Sequence, residues 1–166
     1  NSLPGETLTV VEHNAINVLK SQYRKNIPLQ TDNKDNGQLL STRTIYKDWY
    51  PSANGGRIVE PQFIKTLKGV YHATTNPYQT RTTFYDYDTY GKPLEVGQSS
   101  GPHTSYLWGY GNQFPVAKVD NATYSQLTGT GIVLSTINSP STNDQTMRNE
   151  LNKPRTLSNA FAKTYT

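Results

Sequence analysis

Residues 82–96 limit the possible folds of this chain more than any other stretch. Their first half is crowded with Phe, Tyr and Thr, whose rings and branched Cβ atoms pack well on a pleated surface. Gly91 supplies the backbone freedom that a tight turn requires. Beyond it, Leu94 and Val96 alternate with Glu95, which is the period of a half-buried strand. The stretch therefore predicts a strand, a turn and a second strand, and the rest of the chain looks like variations on this unit.

The composition favours a sheet with one solvated face. The 166 residues are enough for one domain, but only 33% are apolar, whereas ordinary globular chains have roughly 45–50% when Gly is included. The chain compensates with 12 Tyr, 4 Phe and 2 Trp. Because Leu and Ile are scarce, the packed surface has to be built from aromatic rings and Thr methyl groups, which favours such sheets over a thick two-sided core.

The charge pattern argues against a nucleic-acid partner. The net charge is +4, but the basic residues are scattered singly, whereas those of nucleic-acid-binding proteins cluster. Isolated lysines suit solvated strand faces and edges, where they block pairing with other chains. The absence of Cys excludes disulfides and Cys-based metal sites. No apolar run approaches the roughly 18 residues of a membrane-spanning helix, so we expect a chain that does not span the membrane.

Alternating or β-branched segments predict further strands on both sides of this unit, over residues 6–12, 16–23, 39–49, 57–70, 103–108 and 114–119. Residues 16–23 also suit one short helix, but Asn17 and the break at 26–28 leave little room for it, so we assign a strand. Clusters of Gly, Asn, Asp, Ser and Pro predict turns over 32–37, 50–56, 97–101 and 109–112. Pro61 predicts an edge, a bulge or a break in its strand, because it has no N–H for the ladder.

The composition changes after the last of these strands. One helical turn is predicted over 121–127, and a helix is predicted to begin near Asp144, capped by Thr142 or Asn143, and to end before Pro154. The predicted fold is therefore mainly β: an antiparallel hairpin ribbon or meander with a short helical segment near the C-terminus. The predicted divisions are a β-rich region over 1–124, a loop and short helix over 125–158, and the start of a further strand over 159–166.

Asp86 and Asp88 are the first candidates for a site, because residues two apart in a strand share one face. Two carboxylates on one face suit a calcium site, a substrate site or an acid/base pair. Asp88 also leads directly into the turn at Gly91, where its side chain can accept hydrogen bonds from turn amides. We favour this last interpretation and expect Asp88 and Gly91 to be structural, with no catalytic residue, metal or cofactor.

Tyr106, Trp108 and Tyr110 are the second candidates, because their spacing forms an aromatic stripe. Such a stripe can stack on sugars or bases, or it can pack on a neighbouring strand. The histidines have no carboxylate at a spacing typical of a metal site or a catalytic dyad; they are His13, His72 and His103. Neither a phosphate-binding loop nor a serine-nucleophile motif is present.

The turn and the strands after it resemble a known family. Tyr87-Asp88-Thr89-Tyr90-Gly91-Lys92-Pro93-Leu94 resembles the YD repeat of Rhs proteins, in which Tyr-Asp is followed by two residues, a Gly, a basic or polar residue and an apolar one. Over residues 80–124 the chain looks like the large YD-repeat proteins of Bacteroidota-type bacteria. Residues 46–49 look like a degenerate copy of the same unit.

The resemblance implies a β-hairpin ribbon that can coil into a hollow shell, secretion or exposure on a bacterial cell surface, and no catalytic residue in this segment. It also implies that the strand over 160–166 continues into further repeats. The chain opens on Asn1-Ser2-Leu3-Pro4 and stops within a strand pattern. We therefore expect a piece of a longer polypeptide, whose remainder is its first partner.

Three functions stay open on the sequence alone. The first is a structural segment that serves as scaffold, shell or adhesion surface. The second is a module that binds a glycan or a protein through Tyr106, Trp108 and Tyr110. The third is a passenger or accessory subunit of an outer-membrane secretion or uptake complex. An enzyme that uses Asp86 and Asp88 is disfavoured, because no nucleophile or acid/base partner stands out.

Overall fold

The computed structural model describes residues 8–36, 38–51, 56–70 and 78–165. The chain is mainly β: its antiparallel strands follow one another across the sheet in the order of the sequence, as predicted. The strands are β1 (Gln30–Asp35), β2 (Gln38–Asp48), β3 (Val59–Val70), β4 (Gln79–Tyr87), β5 (Pro93–Gln98), β6 (His103–Gly109), β7 (Phe114–Asp120) and β8 (Phe161–Thr164). The α-helices are α1 (Val10–Ser21), α2 (Tyr124–Thr128), α3 (Leu134–Asn138) and α4 (Asp144–Asn152).

The chain divides into two compact units at the boundary between Phe84 and Tyr85. The first unit contains α1, the strands β1 to β3 and most of β4. The second contains the end of β4, the strands β5 to β8 and the helices α2 to α4. None of the helices in the described ranges has the length and apolar character needed to cross a membrane.

The first element among the described residues of this unit is helix α1, so the strands predicted over 6–12 and 16–23 are wrong from Val10 onward. The Thr9 hydroxyl accepts a hydrogen bond from the Glu12 N–H, and the Glu12 carboxylate accepts one from the Thr9 N–H at 2.7 Å. This reciprocal capping box satisfies backbone donors that the start of a helix leaves without partners. The local signal for a helix is therefore the pair Thr9 and Glu12, which lies within the first of the two segments predicted as strands and outside the second.

Helix α1 is held by an apolar stripe at helical spacing. Ala15, Val18 and Leu19 are buried on one face of it and pack against Tyr46 and Val59 of the sheet. Burial of this stripe outweighs the weak helix propensity of the β-branched residues in the segment. The break at 26–28 lies beyond the end of the helix and does not shorten it.

Two local predictions in the first unit are confirmed. The hairpin predicted over 32–37 joins β1 and β2, but residues 32–35 belong to β1, which pairs from Gln30 opposite Arg43 to Asp35 opposite Gln38, so the turn begins at Asn36; Gly37 lies outside the described residues. The bulge at Pro61 is also present. Pro61 lies opposite Tyr46 while Phe63 lies opposite Ile45, so Gln62 is the extra residue.

The second unit has a core between strands β6 and β7 and the helices that cover them. Its buried side chains are Leu107, Val116, Ala117, Val119, Ala122, Leu127, Ile132, Ile137, Met147 and Leu151. The predicted C-terminal helix is confirmed as α4, because the Asn143 side chain accepts the Thr146 N–H at 2.8 Å and the α-helix ends before Pro154. A 3₁₀ turn over Lys153–Thr156 leads to β8, the predicted last strand.

Candidate functional site

The turn over residues 87–92, which we call the Tyr-Asp turn, is organised around the side chain of Asp88. Its Oδ1 atom accepts hydrogen bonds from the Tyr90 N–H at 2.9 Å and from the Lys92 N–H at 2.8 Å. The backbone closes the same turn, because the Gly91 N–H donates to the Asp88 carbonyl at 3.0 Å and Gly91 has a φ of 78°. Tyr87, directly before the turn, is 3% exposed. The geometry of Asp88 and Gly91 is therefore that of an Asp-stabilised turn.

The Asp86 carboxylate also forms a hydrogen bond with a neighbouring backbone amide. Its Oδ1 atom accepts the Tyr87 N–H at 2.8 Å, whereas Asp88 binds the amides of the following turn. The two carboxylates therefore serve different stretches of backbone. Within the described ranges, no three His, Asp or Glu side chains lie close enough together to hold a metal ion.

The aromatic residues Tyr106, Trp108 and Tyr110 have unlike surroundings. Tyr106 and Trp108 lie on β6, but Tyr110 lies in the turn after the strand, with a φ of 53°. The Trp108 indole N–H donates to the Pro93 carbonyl at 2.9 Å. Tyr110 packs edge-on against Phe114, with ring centroids 6.3 Å apart. The three rings therefore do not form one uniform stripe, and the Trp108 ring is held by a hydrogen bond within the fold.

Lys92 connects the Tyr-Asp turn to Trp108. Its ammonium group lies 4.9 Å from the centroid of the Trp108 ring, which is within the range of a cation–π contact. The same ammonium donates to the Asn112 carbonyl in the turn between β6 and β7. Asp88, Lys92, Trp108 and Asn112 therefore form one set of linked residues, which we call the turn cluster. It borders a cavity of about 280 Å³.

His103 pairs with Glu95, a carboxylate whose spacing in the sequence is not typical of a metal site or a catalytic dyad. The His103 Nδ1 atom lies 2.5 Å from Glu95 Oε1, and the Tyr85 ring stacks on the imidazole at a centroid distance of 4.4 Å. Strands β5 and β6 pair so that Glu95 lies opposite Ser105, two residues from His103 on the same face. The spacing across a short hairpin was the available signal. His13 lies exposed on α1, and His72 lies outside the described residues.

The contacts of the Glu95–His103 pair are those of a structural anchor. The second oxygen of Glu95 accepts the Tyr124 N–H at 2.7 Å, so the buried carboxylate holds the first residue of α2 to the sheet. Activation of a nucleophile needs a hydroxyl or thiol hydrogen-bonded to the imidazole. In the part of the chain that the structure describes, no hydroxyl group makes such a bond with His103, and Cys is absent from the whole sequence.

The fold is an antiparallel meander. The side chains of Asp88 and Trp108 in the turn cluster form hydrogen bonds with backbone groups of the chain itself. No family model, no curated protein and no solved structure matches the chain. The resemblance to the YD repeat therefore depends on the residues quoted for it, and an assignment of function depends on the geometry of the described residues.

Proposed function

We propose that this chain is a non-catalytic structural segment of a secreted or cell-surface YD-repeat protein of a bacterium, where it forms part of a scaffold, shell or adhesion surface. The observation that carries the proposal is the Tyr-Asp turn in a sheet whose strands follow sequence order. Tyr87 is buried, Asp88 binds the turn amides and Gly91 has a positive φ. Each defining residue of the Tyr-Asp-x-x-Gly pattern therefore has a structural role that a repeat would reuse.

The edge strand β8 supports continuation into further repeats. In the described residues β8 pairs with β7 alone. The Tyr165 N–H donates to the Val116 carbonyl at 2.8 Å, so the alternation of an antiparallel ladder directs the N–H groups of Ala162 and Thr164 away from β7. Phe161, at the start of β8, is 70% exposed. This edge offers both backbone donors and an apolar side chain to a following strand.

The size and location of the natural polypeptide test the proposal directly. An antibody against this chain should detect, in the source cells, a polypeptide much larger than 18.6 kDa, the mass of the chain alone. It should fractionate with the cell surface or the medium, and digestion of intact cells with protease should remove the signal from the surface. A cytoplasmic polypeptide of the chain's own mass would overturn the proposal.

Two proline substitutions in β8 test separately whether this strand is an open edge of the sheet. The isolated chain should self-associate through its open edge as its concentration rises, as measured by sedimentation velocity. Ala162→Pro removes an outward N–H and should suppress association while the chain stays folded. Lys163→Pro removes an inward N–H and should instead loosen β8 from β7. A chain that stays monomeric at high concentration, with the outward amides of β8 protected from hydrogen exchange, would contradict an open edge.

A further inference from the structure

Helix α1 ends in a Schellman motif with an unusual residue at its left-handed position. The Tyr23 N–H donates to the Lys20 carbonyl at 3.1 Å, and the Arg24 N–H donates to the Leu19 carbonyl at 2.9 Å. Tyr23 has a φ of 58°. Gly is the usual residue there, because a Cβ atom strains the left-handed conformation. The chain therefore keeps a large side chain where the backbone disfavours one.

Burial does not explain the presence of this aromatic ring. Tyr23 is 85% exposed, and the described contact of its ring is with the Lys25 ammonium, 5.6 Å from the ring centroid. Strained residues are enriched at functional sites. The ring and the lysine beside it are therefore available to a partner.

An apolar cavity lies at the same end of the helix, and Arg24 and Lys25, which follow Tyr23 in the chain, are among the residues that line it. Its volume is about 590 Å³, and its apolar lining consists of Ile16, Leu19, Ile27 and Leu29. This volume is within the roughly 300–1,000 Å³ of typical ligand sites. The remaining lining residues are Lys20, Ser21, Arg24 and Lys25. The cavity therefore has an apolar floor and a basic rim.

The rim carries positive charge that the described residues do not neutralise. Arg24 is held in place by Glu60 at 3.1 Å and by the Val59 carbonyl at 2.9 Å. Lys20 and Lys25 are exposed, and neither makes an ion pair with a described residue. No acidic residue is among those that line the cavity. The surface therefore complements a ligand that combines an apolar group with negative charge.

We propose that this surface, which we call the α1 groove, binds an acidic peptide segment of a partner protein. One apolar side chain of the segment enters the cavity, and flanking carboxylates lie near Lys20 and Lys25. The protruding Tyr23 ring packs along the peptide, as tyrosines do at the centres of protein interfaces. A ring that stands outside the cavity suits an extended peptide better than a single acyl chain, which the cavity alone would enclose. The proposal is independent of the structural role proposed above.

Fluorescence anisotropy with designed peptides tests the α1 groove. The probe is a labelled peptide with one Leu flanked on both sides by Glu, and it should bind the intact chain. The same peptide with Lys in place of Glu should not bind. Lys20→Gln together with Lys25→Gln should weaken binding about tenfold, since two exposed charge pairs are lost. Lys34→Gln, on β1 in the same unit, is the matched control and should leave binding unchanged.

Tyr23→Gly separates a binding role of the ring from a structural one. Gly relieves the strain at the left-handed position, so the variant should melt at the same temperature as the wild-type chain or higher. It should nevertheless bind the acidic peptide several-fold more weakly. Wild-type affinity in Tyr23→Gly, equal binding of the acidic and basic peptides, or binding to anionic phospholipid vesicles without binding to the acidic peptide would each overturn the proposal.

Discussion

The Glu12 carboxylate and the Arg43 guanidinium form an ion pair of 2.9 Å between helix α1 and strand β2, with side-chain exposures of only 8% and 1%. The same Glu12 side chain completes the capping box with Thr9. One carboxylate therefore both starts the helix and joins it to the sheet. Removal of either member of a buried ion pair leaves the other charge buried without compensation, so substitution of one member tests this relationship directly.

Arg43→Met should lower the free energy of unfolding by about 3–5 kcal/mol, because it leaves the buried Glu12 carboxylate without its countercharge. The loss is measured by urea unfolding followed by circular dichroism. Arg81→Met, which removes an exposed arginine bonded to Thr66, is the control and should change the free energy of unfolding by at most about 0.5 kcal/mol.

A substitution of Glu12, combined with Arg43→Met, identifies the source of the lost stability. Gln at position 12 removes the charge but keeps the capping box, which accepts either Glu or Gln. The double variant Glu12→Gln with Arg43→Met should therefore recover most of the stability lost in Arg43→Met. Equal losses in the single and the double variant would show that packing, and not the unpaired charge, is responsible.

The turn at Asp88 gives a second prediction. Asp88→Ala should lower the free energy of unfolding by about 1–2 kcal/mol, because the Tyr90 and Lys92 N–H groups lose their common acceptor. Asp88→Asn keeps an oxygen at the same place and should cost less. Added calcium should leave the melting temperature of the wild-type chain unchanged. A large calcium-dependent rise, or an Asn variant as unstable as the Ala variant, would argue for a carboxylate site.

The features that could be predicted from the sequence are those encoded within a few residues. The hairpin at Asn36, the turn at Gly91 and the cap at Asn143 each depend on the backbone preference or side chain of a local residue. Helix α1 was missed because its β-branched residues suggested a strand, while its stability comes from the buried stripe of Ala15, Val18 and Leu19.

The polar pairs that were missed depend on how a helix packs on the sheet and on the exact register of two strands. Arg43 is one of the singly scattered basic residues of the sequence, and its burial becomes understandable only once the packing of α1 places Glu12 against it. Glu95 and His103 come together through the register of β5 and β6, which hydrophobic periodicity does not specify to the residue. Single-residue patterns do not identify such partners, and of these two pairs only Glu95 and His103 had a signal in the sequence, their spacing across a short hairpin.

Acid should destabilise the second unit through Glu150. Burial raises the pKa of Glu150, but hydrogen bonds from Lys153 and from the Val133 N–H, together with the Lys153 charge, outweigh burial and leave the pKa lowered. A carboxylate with a lower pKa in the folded state stabilises the fold above its unfolded pKa, about 4.3 for Glu. That stability is lost as the pH falls through the folded pKa.

The measurement is the free energy of unfolding by urea at neutral pH and at several values below about pH 4.5. Glu150→Gln should reduce the difference between the neutral and acidic values. Asp144→Asn, at an exposed ion pair with Arg148, is the control and should change this difference less, because solvent screens that pair. An unchanged acid response in Glu150→Gln would contradict the prediction.

Gly109 at the end of β6 should not tolerate a larger side chain. A Cβ atom there would lie 2.7 Å from Val116 Cγ1 and 3.0 Å from the Ile137 carbonyl oxygen, which belongs to the backbone of α3. The same carbonyl accepts the Tyr110 N–H at 3.0 Å, so α3 cannot move away without breaking that bond. Gly109→Ala should therefore lower the free energy of unfolding by about 1–3 kcal/mol, as overpacking of a core does.

Gly97→Ala is the matched control for this crowding. A Cβ atom at Gly97 would meet the Tyr85 ring at 3.1 Å, and a ring edge can shift where a helix backbone cannot. Both positions are buried strand glycines, so the loss of backbone freedom is similar in the two variants. Urea unfolding should show a smaller loss for Gly97→Ala than for Gly109→Ala. The reverse order would mean that α3 moves freely over β6 and that the carbonyl of Ile137 does not fix its position.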